Sequence, residues 1–460
     1  MEHITVKQIL EATGGRLLCG REDQVLRHLS IDSRTMRGDD LFVPLIGEKA
    51  DAHRFIAGAF AAGAAATLTS EHNEASDERP WIRVDDTRQA LQAIGAYYRQ
   101  RLLLPLVGIT GSVGKTTTRE MVAAALSAGL RVFKTPANHN SQVGVPITLS
   151  DISEQDEIGI LELGMSEPGE LTVIARIARV DAAVITNIGV THIEQLGTQE
   201  HIFREKMSIQ DGLKDGGTLF LNGDDEWLHH ARAKAGCETV YYGTGPGCQY
   251  RAEDIRVAEG YPAFTANCRG TKIPVRLSVM GRHNVLNAMA ALAVADQYEV
   301  PLEEAARTLQ EFDGFKNRQQ VYRRHGITVI DDTYNASPVS MKAAIEVLSS
   351  LTAEGRKIAV LADMKELGAQ ASEFHREVGR YLADYPVDVL LTLGSLAGAI
   401  GDGWREHGRG GLIRSFGEDE RDRLTAELKD MLQEGDCVLL KGSNSMRLAE
   451  VAAALTEETV

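Results

Sequence analysis

The sequence predicts an α/β fold in three units, and three observations carry that expectation. A chain of 460 residues has room for two to four domains. From about residue 101 to 314, short apolar runs alternate with helical spacing, the pattern of parallel strands joined by crossover helices. A second series of the same kind begins near Phe315, which sets the units at residues 1–100, 101–314 and 315–460.

Composition narrows the function classes. With 43% hydrophobic and 25% charged residues this is an ordinary globular chain. Lys and Arg number 49 against 65 Asp and Glu, and the net charge of −16 argues against nucleic acid, whose phosphates need a surplus of cations. An acidic enzyme still holds anions locally through backbone donors, a few cations and a metal, so a nucleotide substrate stays open. The five cysteines, Cys19, Cys237, Cys248, Cys268 and Cys437, are scattered without a C-x-x-C pair, and read as reduced thiols rather than a disulfide framework or structural zinc. Residues 1–5 lack a basic start before an apolar core, and no apolar run approaches about 18 residues. The expectation is a cytoplasmic chain without membrane insertion.

In the first unit, Asp32-Ser33-Arg34 lies in a polar segment before an apolar strand at 41–45 and an alanine-rich helix at 54–62. Alone, the tripeptide reads as a solvated turn. A Ser and an Arg in a loop also suit a diphosphate or a uracil edge, the Arg through a forked contact.

The second unit opens on an apolar run at 102–109, a Gly-containing turn, and helical spacing of Met121, Val122, Ala125 and Leu126. In this strand, loop and helix, Gly111 and Gly114 let backbone N–H groups close around a phosphate. Lys115 adds a point charge, and the Thr116 hydroxyl suits Mg²⁺ at the positive helix end. The general pattern G-x-x-x-x-G-K-[ST] is met imperfectly, since Ile109 stands where its first Gly belongs. Strands are predicted at 158–163, 182–187 and 218–222, and ligands of such sheets gather beyond the strands' carboxyl ends. Glu162 is an acid inside an apolar run, where its charge needs a partner that a bound Mg²⁺ would supply. His192 follows another strand and reads equally as a hydrogen-bonded structural residue or a metal ligand. Lys206, on a helix predicted at 199–213, reads by itself as a surface lysine. Short strands at 240–242, 263–268 and 272–280 precede a helix starting near Gly281-Arg282-His283-Asn284, whose Asn284 suits either a cap or a nucleotide contact.

In the third unit, a strand at 327–330 runs into Asp331-Asp332-Thr333-Tyr334-Asn335-Ala336-Ser337-Pro338. Strands at 357–362, 387–393 and 437–440 and helices at 373–382 and 421–432 complete a second sheet. Two sheets with facing rims would place a cleft between them.

The set Thr110-Gly111-Ser112-Val113-Gly114-Lys115-Thr116, Glu162, Thr186-Asn187-Ile188-Gly189-Val190-Thr191-His192, Lys206 and Gly281-Arg282-His283-Asn284 resembles the Mur ligase family, over matches that reach from Asp32 to Lys441. Residues 331–338 resemble the D-D-x-Y-N-A-[NS]-P signature of those members that add D-alanyl-D-alanine to a UDP-N-acetylmuramoyl-tripeptide. The V-D-Y-A-H-x-P and D-N-P-R segments of the preceding enzyme are not found. Asn138-His139-Asn140-Ser141-Gln142-Val143-Gly144-Val145-Pro146 and Lys441-Gly442-Ser443 extend the likeness.

The resemblance implies a small N-terminal UDP-binding domain, a central P-loop ATPase-like doubly wound domain and a C-terminal Rossmann-like domain, acting as a monomer. It implies ATP held by Thr110, Gly111, Ser112, Val113, Gly114, Lys115, Thr116 and Thr117, with Asn284 at the adenine and Arg318 and Asp332 reaching over from the third domain. Mg²⁺ would be held by Thr116, Glu162, His192 and an N-carboxylated Lys206. Lys115, Glu162, His192 and Lys206 would be the catalytic set. Ser33, Arg34, Asn138, Asn140, Tyr334 and Asn335 would contact the UDP-linked peptide and the dipeptide. One departure stands out: Asp51-Ala52-His53 replaces the family's D-G-H. A Gly needing positive φ cannot become Ala without strain, so this loop is expected to differ.

Overall fold

A computed structural model describes residues 1, 4–48, 50–407 and 410–456. Glu2 and His3 of the N-terminal stretch, and residues 457–460 of the third unit, lie outside the described residues. Three large sheets follow one another along the chain. The first has five strands in the order Arg16–Cys19, Trp81–Arg83, Ala66–Thr69, Asp40–Phe42, His28–Ser30, all parallel neighbours except the first pair. Leu41, Leu68 and Ile82 join Ala90, Leu91 and Ile94 of the helix Thr87–Arg101 in its core. The strand predicted to reach residue 45 stops at Phe42; the Pro44 nitrogen cannot donate to a ladder, and the Pro44 carbonyl takes the Thr87 hydroxyl instead. The concern over Ala52 is corrected. It opens a 3₁₀ turn, Ala52–Phe55, capped by the Asp51 carboxylate on the His53 N–H, and it is not among the residues of positive φ.

The central sheet has nine strands, ordered Thr271–Arg276, Tyr261–Cys268, Tyr250–Ala258, Glu238–Gly243, Thr218–Asn222, Ala182–Ile185, Leu106–Thr110, Ile158–Glu162, Val132–Lys134. The two strands at the start of that order run antiparallel to their neighbours and the rest are parallel. The strand expected from residue 102 begins at Leu106, because Pro105 has no N–H to give and Leu103 is 98% exposed. The helix expected over 199–213 ends at Met207 and tightens into the 3₁₀ turn Ser208–Asp211. Among the elements the sequence did not predict is the strand Tyr250–Ala258. Its outer positions carry charge, and its register shifts between Glu253 and Arg256.

The third sheet is ordered Gln320–Arg324, Ile327–Asp332, Cys437–Lys441, Lys357–Ala362, Val389–Leu393, Leu412–Phe416, parallel but for the first pair. The α/β class thus holds throughout. All five cysteines are free thiols, as expected. Among the described residues no helix is long and apolar enough to cross a membrane. The carboxyl ends of the central and third sheets meet at a cleft of about 820 Å³.

Candidate active site

The buried strand Leu106–Thr110 delivers the chain into a loop that the helix Lys115–Leu126 leaves again. Gly111 sits at φ +149°, and a Cβ there would stand 1.9 Å from the Thr186 hydroxyl oxygen, so only glycine fits. Gly114, at φ +85°, starts the helix with no side-chain cap, leaving its first N–H groups and positive end toward the loop. The loop is locked from the next strand end. The Val113 N–H donates to Asn187 Oδ1 (3.0 Å), the Val113 carbonyl accepts from Thr186 Oγ1 (2.6 Å) and Asn187 Nδ2 (2.9 Å), and Ser112 Oγ accepts from the Gly189 N–H (2.8 Å). Lys115 Nζ donates to the Gly111 carbonyl at 2.8 Å, and its enclosure holds the ammonium below the ordinary lysine pKa.

Glu162 ends the strand Ile158–Glu162 and is 3% exposed. The partner expected for its charge was a metal; the structure supplies Arg119, whose Nη1 lies 3.2 Å from Oε2, and Asn140, whose Nδ2 donates to Oε1 at 2.8 Å. Arg119, itself buried, also forks onto Glu120 and donates to the Ala137 carbonyl. Thr116 Oγ1 accepts from Arg318 Nη2 at 3.0 Å. His192 is left-handed at φ +64° at the start of the helix Ile193–Leu196, with Nδ1 2.6 Å from Glu366 Oε2. Lys206 is no surface lysine: it is 2% exposed, and its Nζ has no hydrogen bond or ion pair among the described residues. Burial, and then the charge of Lys115, push its pKa well below the ordinary lysine value.

From the third sheet, the Arg318 guanidinium lies 4.1 Å over the Tyr334 ring. The Asp332 carboxylate accepts from buried Lys441 Nζ at 2.7 Å, and Lys441 also donates to the Asn335 carbonyl at 2.9 Å. The cleft wall thus joins Ser112, Val113, Gly114, Lys115, Thr116, Thr117, Asn138, Asn140, Glu162, His192 and Asn284 to Arg318, Asp332, Tyr334 and Asn335. Thr110, Gly111 and Lys206 are not on that wall. Asn284 is the first helical residue rather than a cap; its amide donates to the Met280 carbonyl and accepts from Asn287. Ser33 and Arg34 belong to the first sheet's rim and do not reach this cleft. Arg34 forks instead onto Asp32, at 2.8 and 2.7 Å, and its guanidinium lowers the Asp32 pKa to about 2.

The donor set suits Mg²⁺. Among the described residues no three His, Cys, Asp or Glu side chains converge as a closed metal site. Mg²⁺ needs only one or two carboxylates beside phosphate oxygens and water, which a hydroxyl at 116 and a carboxylate at 162 accommodate.

Comparison with known proteins follows the same geography. Family models describe a Mur ligase family catalytic domain at residues 25–99, a Mur ligase middle domain at 109–295, and a Mur ligase, glutamate ligase domain at 317–444. The UDP-N-acetylmuramoyl-tripeptide–D-alanyl-D-alanine ligase of Bacillus subtilis (strain 168) is 38% identical over 98% of both chains. The chain belongs to the Mur ligase family. The enzyme of the same name from Escherichia coli (strain K12) is 30% identical over 99% of both chains. Among solved structures, MurF from Acinetobacter baumannii superimposes with a TM-score of 0.90 at 30% identity, covering 100% of both chains. MurF ligase from Thermotoga maritima in complex with ADP gives 0.83 at 29% identity, over 95% of this chain and 98% of that one.

In this Mur ligase, sequence reasoning missed the residues that hold the others. Lys441 was noted only as part of a motif, although as a charge closing an apolar run it had a signal of the kind that singled out Glu162; Arg119, between Thr118 and Glu120, had none. Thr186 and Asn187 were noted only as part of a motif, while their side chains shape the loop. Glu366 had no local signal at all.

Proposed function

We propose that this chain joins D-alanyl-D-alanine to the terminal carboxylate of a UDP-N-acetylmuramoyl-tripeptide with hydrolysis of ATP to ADP and phosphate, the last cytoplasmic step in assembling the muramoyl pentapeptide of peptidoglycan. The observation that carries this reading is the 3.0 Å contact of Arg318 with Thr116, which brings the rim of the third sheet onto the phosphate loop. The names of the relatives and the 331–338 signature support the choice of substrates.

A carboxylate does not react with an amine in water, because oxide would have to leave. In the proposed sequence the tripeptide carboxylate attacks the γ-phosphorus of ATP and ADP departs, leaving an acyl phosphate. The dipeptide amine then attacks the acyl carbon, phosphate leaves, and the nitrogen gives up its proton. Lys115 and Arg318 offset the charge on the transferring phosphoryl group, a task of position and electrostatics. Thr116, Glu162 and His192 would hold Mg²⁺, which when bound adds Lewis-acid charge neutralisation at the phosphates. Lys206 suits N-carboxylation: burial lowers its pKa and so favours the free amine, which adds to CO₂ with loss of a proton and becomes a carboxylate that would attract Mg²⁺. Residues 1–100 would hold the UDP moiety through Ser33 and Arg34, residues 101–314 ATP with Asn284 at the adenine, and residues 315–460 the incoming dipeptide near Tyr334 and Asn335. Asn138 and Asn140 would face the peptide being extended.

The test is the mass of the product after incubation with ATP, Mg²⁺, a UDP-muramoyl tripeptide and D-alanyl-D-alanine. The expected product is the tripeptide substrate plus the dipeptide less one water, formed only when all four are present. Phosphate release without amide product, or addition of a single amino acid from a mixed pool, would overturn the reading.

A further inference from the structure

Glu366 belongs to none of the sets above, yet it touches one of them from another sheet. It lies in the segment 363–368 that leaves the strand Lys357–Ala362, and this segment is tightly held. The buried Asp363 carboxylate accepts the N–H groups of Leu396 (3.0 Å) and Ala397 (2.7 Å). The Met364 N–H donates to the Nε2 of fully buried His375 at 2.9 Å, and the Lys365 N–H to Ser443 Oγ at 3.0 Å. From this anchorage Glu366 projects with φ +63°, a left-handed conformation that a glutamate adopts only where its surroundings enforce it.

What it meets is the turn that carries His192. Glu366 Oε2 stands 2.6 Å from His192 Nδ1, a buried nitrogen with no hydrogen-bond partner among the described residues. The Glu366 carbonyl accepts the Glu194 N–H at 3.3 Å. Val190 and Ile193, on either side of His192, pack against the apolar core of the third sheet, and Ile193 touches the central core as well. His192 is left-handed too, so two side chains on strained backbone face each other across the boundary.

We propose that Glu366 is a positioning residue: on docking of the third unit its carboxylate seats on Nδ1 of His192, turning the imidazole and leaving Nε2 as the nitrogen offered to the cleft. The inference rests on the ligase reading for the use of His192. Outer carboxylates that orient a histidine typically change metal affinity by about 10- to 100-fold when removed. Seating of the third unit would therefore be coupled to metal affinity at the phosphate rim.

The experiment uses the full chain and a non-hydrolysable ATP analogue, with no acceptor, so that it stands apart from the product assay. Binding is measured by calorimetry with and without Mg²⁺ for the native protein, Glu366→Ala and Glu366→Gln. The expected result is unchanged affinity without Mg²⁺ in all three, and an Mg²⁺ concentration for half-maximal enhancement raised about tenfold or more in Glu366→Ala. Glu366→Gln should fall between, since its amide oxygen still accepts a hydrogen bond. Equal Mg²⁺ dependence in all three overturns the proposal, as does a loss of affinity of the same size with and without Mg²⁺, which marks a merely structural role. If Glu366→Ala does not fold, Glu366→Gln gives the reading under the same criteria. A native protein that makes no amide product would sink the ligase reading and leave this binding comparison intact.

Discussion

At the residue scale, Arg119 and Lys206 are two buried cations with opposite circumstances. Arg119 spends its fork on Glu120 and Glu162, so that the almost fully buried Glu162 carboxylate is partnered and aimed. Removing one partner of a buried pair typically costs about 3–5 kcal/mol, because the charge left behind has no solvent. Arg119→Met should destabilise the protein by about that amount in denaturant titration, with a smaller loss for Arg119→Lys, which keeps the charge but not the fork. Lys206 has no such acceptor. Lys206→Ala is expected to retain the native fold and lose nearly all turnover, and added formate or acetate should restore part of it. Turnover unmoved by these acids, with no carbamate carbon signal from ¹³CO₂-treated native protein, would remove N-carboxylation from the account.

At the element scale, the strand ends place the chemistry, and the regular hydrogen-bonded ladders keep them there. Thr218–Asn222 and Lys357–Ala362 were legible as apolar runs of strand length. Tyr250–Ala258 was not, because half its side chains face water and one of them, Glu253, serves as the hub of a surface network. Glu253 accepts from Lys272 and Asn267 and pairs with Arg251, and these contacts, Lys272 first, lower its pKa from 4.5 to about 2. A carboxyl with a folded-state pKa below its unfolded value stabilises above the unfolded value, and that contribution is lost as pH falls through the folded one. The contribution of Glu253 is therefore fully present above about pH 4.5 and fades toward pH 2. Glu253→Gln should lower the melting temperature at pH 6 and converge on the native protein as the pH approaches 2, a comparison that scanning calorimetry makes directly.

At the scale of the whole molecule, the candidate active site forms where the second and third sheets meet. Arg318 reaches Thr116 across 202 residues of chain, and Asp332, Tyr334 and Asn335 complete a wall that begins at the phosphate loop. Interfaces of this kind open and close, and closure excludes water while it assembles the site. Small-angle scattering should show a smaller radius of gyration when nucleotide and UDP-linked peptide are both present than with neither. Profiles that superimpose in all conditions would count against a closing cycle. Arg318→Ala should weaken the ligand-induced contraction, since the contact that brings the two rims together is gone.

Periodicity, glycine placement and the residues flanking each apolar run were enough to read three α/β units and the phosphate loop, while the Mur ligase resemblance rested on a match of whole motifs to a known family. These are properties of neighbours along the chain: a strand repeats every second residue, a helix every third or fourth, and a φ-positive turn selects glycine on the spot. Which charge meets which was beyond their reach. Glu162 finds Arg119 at a separation of 43 residues, and Asp332 finds Lys441 at 109. Such pairings depend on how helices cross sheets and how the units dock, and burial then makes each partner obligatory, since a lone charge there is expensive to desolvate. For that reason Glu162, foreseen as a partner of a metal, is met in the structure by an arginine, and the carboxylate facing His192 came to light only in three dimensions.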